Sequence, residues 1–237
     1  MLQVRRAAQR YRGGDPAAGV DTRHSFSFSG FYDPRNTGFG LLVACNEETL
    51  APGAGFAEHP HRDLHIVTWV VDGELTHTDT AGHATVVRPG DLQRLSAGGG
   101  VRHTERNAGR EPLRFWQMWL VPGTFGGVPR YEVVRGIPDT APYALDGTRA
   151  VLHVRRLAPG GRTALPDAPW SHVQVVRGGV RLTGETPAGP DGVRPGRAWL
   201  EAGDAARASG ARGLTATAGP QGAECLVWEM HAEPSYG

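Results

Sequence analysis

Gly53-Ala54-Gly55-Phe56-Ala57-Glu58-His59-Pro60-His61 opens, and Gly98-Gly99-Gly100-Val101-Arg102-His103-Thr104-Glu105-Arg106-Asn107 closes, the stretch on which the rest of the chain is built. Each end carries two metal-competent side chains separated by one residue, His59 with His61 and His103 with Glu105. On a strand, residues i and i+2 share a face, about 6–7 Å apart. Each pair therefore aims two donor atoms at one point. Two such strands facing each other deliver three imidazoles and one carboxylate to a single cation. Imidazole with carboxylate suits a borderline divalent transition metal better than calcium or magnesium. Taken alone, either pair also fits a polar turn or an exposed strand end.

What lies between the two ends favours the metal reading. Residues 64–71 read as a strand, Asp72-Gly73 as a turn and residues 74–78 as the returning strand. A turn around Gly82 covers residues 79–83, and strands over 84–88 and 92–96 are joined by Pro89-Gly90-Asp91. Short strands with Gly, Pro and Asp at each corner are the cue for a small antiparallel barrel or jelly roll. Such a topology returns the two ends of the stretch to neighbouring strands.

The same residues resemble the two motifs of the cupins, and specifically those of the pirin family. Gly53, His59 and His61 match the first motif, a Gly, five residues, then His-x-His. Gly100, His103 and Asn107 match the end of the second. The pirin-like His59-Pro60-His61-Arg62 and His103-Thr104-Glu105 stand unbroken, and His24-Ser25-Phe26-Ser27-Phe28 with Tyr32-Asp33-Pro34 is similar to pirins as well. The likeness is strong over residues 20–135 and elsewhere lies in the two-barrel layout. It implies an all-β bicupin of two tandem, jelly-roll-like cupin β-barrel domains: an N-terminal metal-binding domain over residues 1–135 and a degenerate C-terminal domain without metal over residues 148–237.

The second half repeats the architecture without the chemistry. Strands are expected over residues 150–157, 170–176, 179–183, 197–200 and 223–230. Val175-Val176-Arg177-Gly178-Gly179-Val180 echoes Val70-Val71-Asp72-Gly73-Glu74-Leu75, and Ala202-Gly203-Asp204 echoes Pro89-Gly90-Asp91. His172 is a lone histidine there, and His153 and His231 look equally isolated.

The pirin resemblance implies one divalent transition metal per chain, held by His59, His61, His103 and Glu105. Fe(II) is foremost, with nickel, manganese, cobalt, copper and zinc open. Non-haem iron with open positions binds a substrate and dioxygen side by side, and pirins resembling this chain have quercetin 2,3-dioxygenase activity on flavonols. The implied partners are a small aromatic substrate and O2. Glu105 would double as the general base for the flavonol hydroxyl, and Phe56 would line a planar ligand's pocket. The alternative is a metal- and redox-dependent regulatory protein that binds an enzyme or transcription factor without turnover. One position departs from the pattern: pirins usually carry Glu where His65 stands. Counting by twos from His61 places His65 on the same face about 13 Å further along. It is expected in the outer part of the pocket, bonded to a ligand, a substrate oxygen or a neighbour.

Length and composition set the remaining bounds. A chain of 237 residues holds one large or two modest domains. With 25 Lys+Arg against 24 Asp+Glu, nothing global favours nucleic acid or an anionic membrane. Every basic residue is Arg, which excludes Schiff-base chemistry on a lysine. The N-terminus lacks a signal-peptide apolar core and no run reaches the roughly 20 apolar residues of a membrane span. A cytoplasmic protein with Cys45 and Cys225 as buried thiols is the expectation. Arg5, Arg6, Arg10, Arg12 and Arg23 read as a solvated lead-in rather than a nucleic-acid arm. Residues 41–45 read as a strand, Glu47-Glu48 as a solvated turn, residues 113–121 as the last clear strand of the first domain, and residues 136–147 as the connection.

Overall fold

The computed structural model describes residues 1–139, 141–185 and 197–235; Thr140, within the expected connection, lies outside them. The alternating patterns and glycine corners form strands β1 (Leu2–Arg5), β2 (Tyr11–Asp15), β3 (Val20–His24), β4 (Leu42–Leu50), β5 (Gly55–His61), β6 (His65–Asp72) and β7 (Leu75–Asp79). They continue as β8 (Ala84–Val87), β9 (Leu92–Ser96), β10 (Val101–Arg106), β11 (Leu113–Leu120), β12 (Arg130–Val134) and β13 (Tyr143–Leu145). The last are β14 (Ala150–Leu157), β15 (Arg162–Ala164), β16 (Trp170–Glu185), β17 (Arg197–Glu201), β18 (Ala205–Ser209) and β19 (Arg212–Met230). Among the described residues the helical segments are two single 3-10 turns, Ala7–Gln9 and Pro16–Ala18. The fold is all-β, and among the described residues no helix is long and apolar enough to cross a membrane.

The chain divides into two compact units. One comprises Tyr11–Gly38 and Leu42–Ile137, and holds β2 to β12. Its strands form a seven-stranded sheet, β12-β9-β6-β11-β4-β3-β2, and a four-stranded sheet, β5-β10-β7-β8. Val20, Leu50, Val70, Leu75, Val87, Leu113 and Phe115 pack together from both sheets as one apolar core. The expected barrel is therefore open: each sheet keeps two edges, and burial of the inner faces against each other holds the sandwich. Inward apolar residues at every second position supply that core, so strand pairing around a full circle is not required.

The other unit comprises Met1–Arg10, Phe39–Leu41 and Pro138–Gly237, with one sheet ordered β1-β18-β16-β19-β14-β13, β15 pairing β19 and β17 pairing β16. The two strands expected over 170–176 and 179–183 are one strand, β16, with register shifts against β19 at Val175/Arg177 and Gly178/Val180. Gly178 has φ +65°, and a Cβ there would lie 2.1 Å from the Gly222 carbonyl oxygen, so only glycine fits this bend. Val173 and Val175 before the bend share a core with Val180 and Leu182 after it. The bend lets one sheet close over its own core.

Two stretches expected to be solvated are strands. β1 pairs β18, and β2 and β3 extend the seven-stranded sheet beyond β4. In β3 the buried positions are Val20, Thr22 and His24, a pattern too polar to announce itself as a strand. β4 runs on through Glu47-Glu48 to Leu50, paired on both sides by β3 and β11. Strand alternation buries Glu48, 3 % exposed, against the expectation of a turn. Cys45 and Cys225 are buried thiols, as expected.

Candidate metal centre

β5 and β10 lie side by side and antiparallel, with His59 opposite His103 and His61 opposite Val101. Between His103 and Glu105 the register slips, so that Glu105 pairs Phe56. Gly55 permits the closeness of the two strands there: a Cβ on it would stand 2.4 Å from the Glu105 carbonyl oxygen. Asn107, which ends the second motif, ties the strand end down. Its side-chain amide donates to the Leu50 and Glu111 carbonyls and its carbonyl accepts from Gly109 N–H.

The imidazoles of His59, His61 and His103 converge, each offering a nitrogen within 4.8 Å of the others. The Nε2 atoms of His59 and His103 are 3.0 Å apart. His61 Nε2 is buried and has no hydrogen-bond partner among the described residues. Burial, then the neighbouring histidines, lowers His61 to about 4 and His103 to about 3, so both rings are neutral at physiological pH. Neutral imidazole is the form that binds a metal. His59 Nδ1 lies 2.8 Å from the Ala57 carbonyl oxygen, which orients that ring. An uncompensated buried nitrogen among neutral rings fits a borderline divalent ion.

Glu105 is buried beside this cluster, and its carboxylate accepts from Gln117 Nε2 at 2.7 Å and Gln93 Nε2 at 3.3 Å. Its tight grouping is with His103 and a residue that sequence reading passed over, His77. β7 pairs the far side of β10, setting His77 opposite Glu105 and Asp79 opposite His103. His77 is fully buried, its Nδ1 3.4 Å from His103 Nδ1 and its Nε2 3.1 Å from Asp79 Oδ2. Burial alone would raise Asp79, but hydrogen bonds from His77 and His83 hold it below the usual carboxylate range. In sequence His77-Thr78-Asp79 is an x-separated pair of the same kind, which was passed over; strand pairing shows its place beside β10.

A cavity of about 360 Å³ opens on the cluster, lined by His59, His61, Glu105, Phe28, Phe56 and Trp119 among others. Its polar wall comes from β3 and β4, whose cross-strand partners Thr22/Glu48 and His24/Asn46 are hydrogen-bonded side chain to side chain. Burial lifts Glu48 to about 8, so it is largely protonated at neutral pH. Phe56 lines the cavity; Glu48 and His24 join it through β3 and through a β4 that runs beyond the expected residues 41–45.

His65 stands elsewhere. It does not line this cavity, and its Nδ1 is 2.7 Å from Ser96 Oγ on the neighbouring strand β9. Counting by twos fails because Asp63 takes φ +54° and the chain turns from the four-stranded into the seven-stranded sheet. In the other unit His153 and His231 are not isolated: both bond the Glu229 carboxylate, each at 2.7 Å. His172 is fully buried, and burial, then Arg207, lowers it to about 3.

The pirin family model matches residues 3–120. A Mycobacterium tuberculosis protein that bears the name quercetin 2,3-dioxygenase provisionally is 41% identical over 251 residues, 98% of this chain and 96% of its own length. The chain belongs to the pirin family. Another relative is the quercetin 2,3-dioxygenase of Escherichia coli K12, 34% identical over 81% of this chain and 89% of its own. The crystal structure of the Escherichia coli pirin YhhW in complex with nickel(II) superposes with a TM-score of 0.82 at 27% identity, over 98% of this chain and 100% of that one. In this pirin the two motif segments are β5 and β10, adjacent strands of one sheet.

Proposed function

We propose that this pirin holds one divalent transition metal per chain at His59, His61, His103 and Glu105 and oxygenates flavonol-type substrates with O2. The observation that carries the reading is the convergence of three imidazole nitrogens, two of them on rings that line an aromatic-walled cavity. The nickel(II) complex of the Escherichia coli pirin and the dioxygenase names of the relatives support it. Iron(II) is the ion this reading favours, since it binds oxygen ligands and undergoes redox change. When bound, the metal would supply the site at which a flavonol oxygen and dioxygen meet.

The chain's own residues do the rest. The cavity falls within the range of ligand sites, about 300–1,000 Å³. The rings of Phe28, Phe56 and Trp119 offer apolar faces and edges to a planar aromatic ligand. Glu105 is the base: held by Gln117 and Gln93, its carboxylate takes the proton of the flavonol hydroxyl. Glu48, held protonated, and His24, on the polar wall, meet further hydroxyls of the ligand. Two buried thiols suit the reducing, cytoplasmic setting of this reading.

Metal analysis of protein purified without chelators, followed by anaerobic loading with iron(II) and a quercetin assay under O2, tests the proposal. Metal-dependent loss of the flavonol absorbance is expected. Metal binding with no turnover of any flavonol would refute the dioxygenase and leave the regulatory alternative.

A further inference from the structure

Behind the histidine cluster, away from the cavity, runs a line of polar side chains that the proposed chemistry does not use. It starts at His83, whose side chain is 39 % exposed, and passes through Asp79 and His77, both buried, to His103. His83 Nδ1 is 2.9 Å from Asp79 Oδ2, which is 3.1 Å from His77 Nε2; His77 Nδ1 is 3.4 Å from His103 Nδ1. The far nitrogen of His103, Nε2, faces His59.

Proton counting gives the line a direction. A metal taken by His103 through Nε2 needs the lone pair on that atom, so the His103 proton sits on Nδ1. His103 Nδ1–H then donates to His77 Nδ1, which must be unprotonated. The His77 proton is on Nε2 and donates to Asp79. From His103 each donor points toward Asp79, and His83 Nδ1–H donates to the same carboxylate from the other end, since a carboxylate can only accept.

The parts of this line are held rigidly. Asp79 Oδ1 accepts from the backbone N–H groups of Ala81 and His83, at 2.9 and 3.1 Å, which leaves Oδ2 turned to His77. The ring of Tyr131 stacks on His77 with centroids 4.4 Å apart and planes 15° from parallel. The Tyr131 hydroxyl donates to Gln93 Oε1, and Gln93 Nε2 donates to Glu105. One scaffold thus orients both a histidine and the carboxylate of the proposed ligand set. Burying a histidine and an aspartate with no role for the pair would cost stability for nothing.

We propose that His77 and Asp79 are positioning residues of the metal centre, fixing His103 as its Nδ1-protonated tautomer and lending it the negative charge of Asp79. The inference rests on the reading that His103 binds the metal through Nε2. A carboxylate behind a ligating imidazole raises the basicity of that ligand, tightens metal binding and favours the higher oxidation state. His77 itself is no ligand of that ion, since it meets His103 on the opposite ring nitrogen.

The test uses the full chain and the variants Asp79→Asn, which keeps the shape and removes the charge, and His77→Phe, which keeps the ring on Tyr131. Nickel(II) affinity by chelator competition should fall about 10- to 100-fold in each, and the midpoint potential of bound iron should become more positive. Nickel affinity within twofold of wild type and an unshifted iron potential, in folded variants, overturn the proposal. A measurement on the unaltered protein needs no variant: in the zinc-loaded chain, nitrogen-15 histidine NMR should show His103 protonated at Nδ1, and a proton on Nε2 overturns it. If wild type binds no nickel, or His59→Ala keeps it all, the metal reading fails and takes this inference with it. Complete loss in His77→Phe with full retention in His59→Ala would put the ion among His77, His103 and Glu105, which also overturns it.

Discussion

His59 and His103 face each other across the β5–β10 pair with their Nε2 atoms 3.0 Å apart. Two nitrogens bonded to one ion at about 2.1 Å lie about 3.0 Å apart when cis at a right angle, and about 3.4 Å apart in a tetrahedron. A spacing of 3.0 Å is one at which both nitrogens can reach a single ion. His103→Ala removes one nitrogen of the pair and is expected to lose most of the bound metal and all metal-dependent activity. Elemental analysis checks it, and a variant that keeps its full metal content would refute the ligand assignment.

Stoichiometry is the second expectation. His172 in the other unit is buried with its ring lowered to about 3, and His153 and His231 both spend a nitrogen on Glu229. Purified holoprotein should therefore contain one metal per chain. Two equivalents by elemental analysis would reveal a second site.

Glu48 makes stability depend on pH. Its folded pKa, about 8, lies above the ordinary value of 4.5, chiefly because burial disfavours the charged form. The folded state thus holds a proton that the unfolded state gives up, and the contribution is full below about pH 4.5 and lost as pH rises through about 8. The denaturation midpoint of wild type should fall between pH 5 and 8.5 by more than that of Glu48→Gln. Equal pH slopes in the two proteins would show that Glu48 is not buried as an acid.

His65→Ala should leave metal content unchanged, because the ring bonds Ser96 and does not line the cavity. The expected effect is a loss of about 1 kcal/mol in folding stability from the broken hydrogen bond, read as a lowered denaturant midpoint. Loss of metal in this variant would place His65 at the centre after all.

Local spacing made much of this legible. The pairs His59/His61 and His103/Glu105 stand out by their spacing alone, and β9 and β14 match their expected bounds because glycine and proline corners flank them. What stayed hidden depends on partners distant in sequence. His77 matters only because β7 lies beside β10, and Glu48 is buried only because β3 and β11 cover both edges of β4. The position of His65 turned on one backbone angle at Asp63, which no side-chain pattern reports.

The pairing of β1 with β18 has a consequence for biosynthesis. Leu2 finds its partner in Ala208, roughly 200 positions later. A growing chain exposes Leu2–Arg5 well before β18, yet the hydrogen bonds between the two cannot form until β18 has been translated. The eleven strands from β2 to β12 need no such delay, so the histidine cluster can assemble co-translationally while β1, which precedes them all, still waits for its partner.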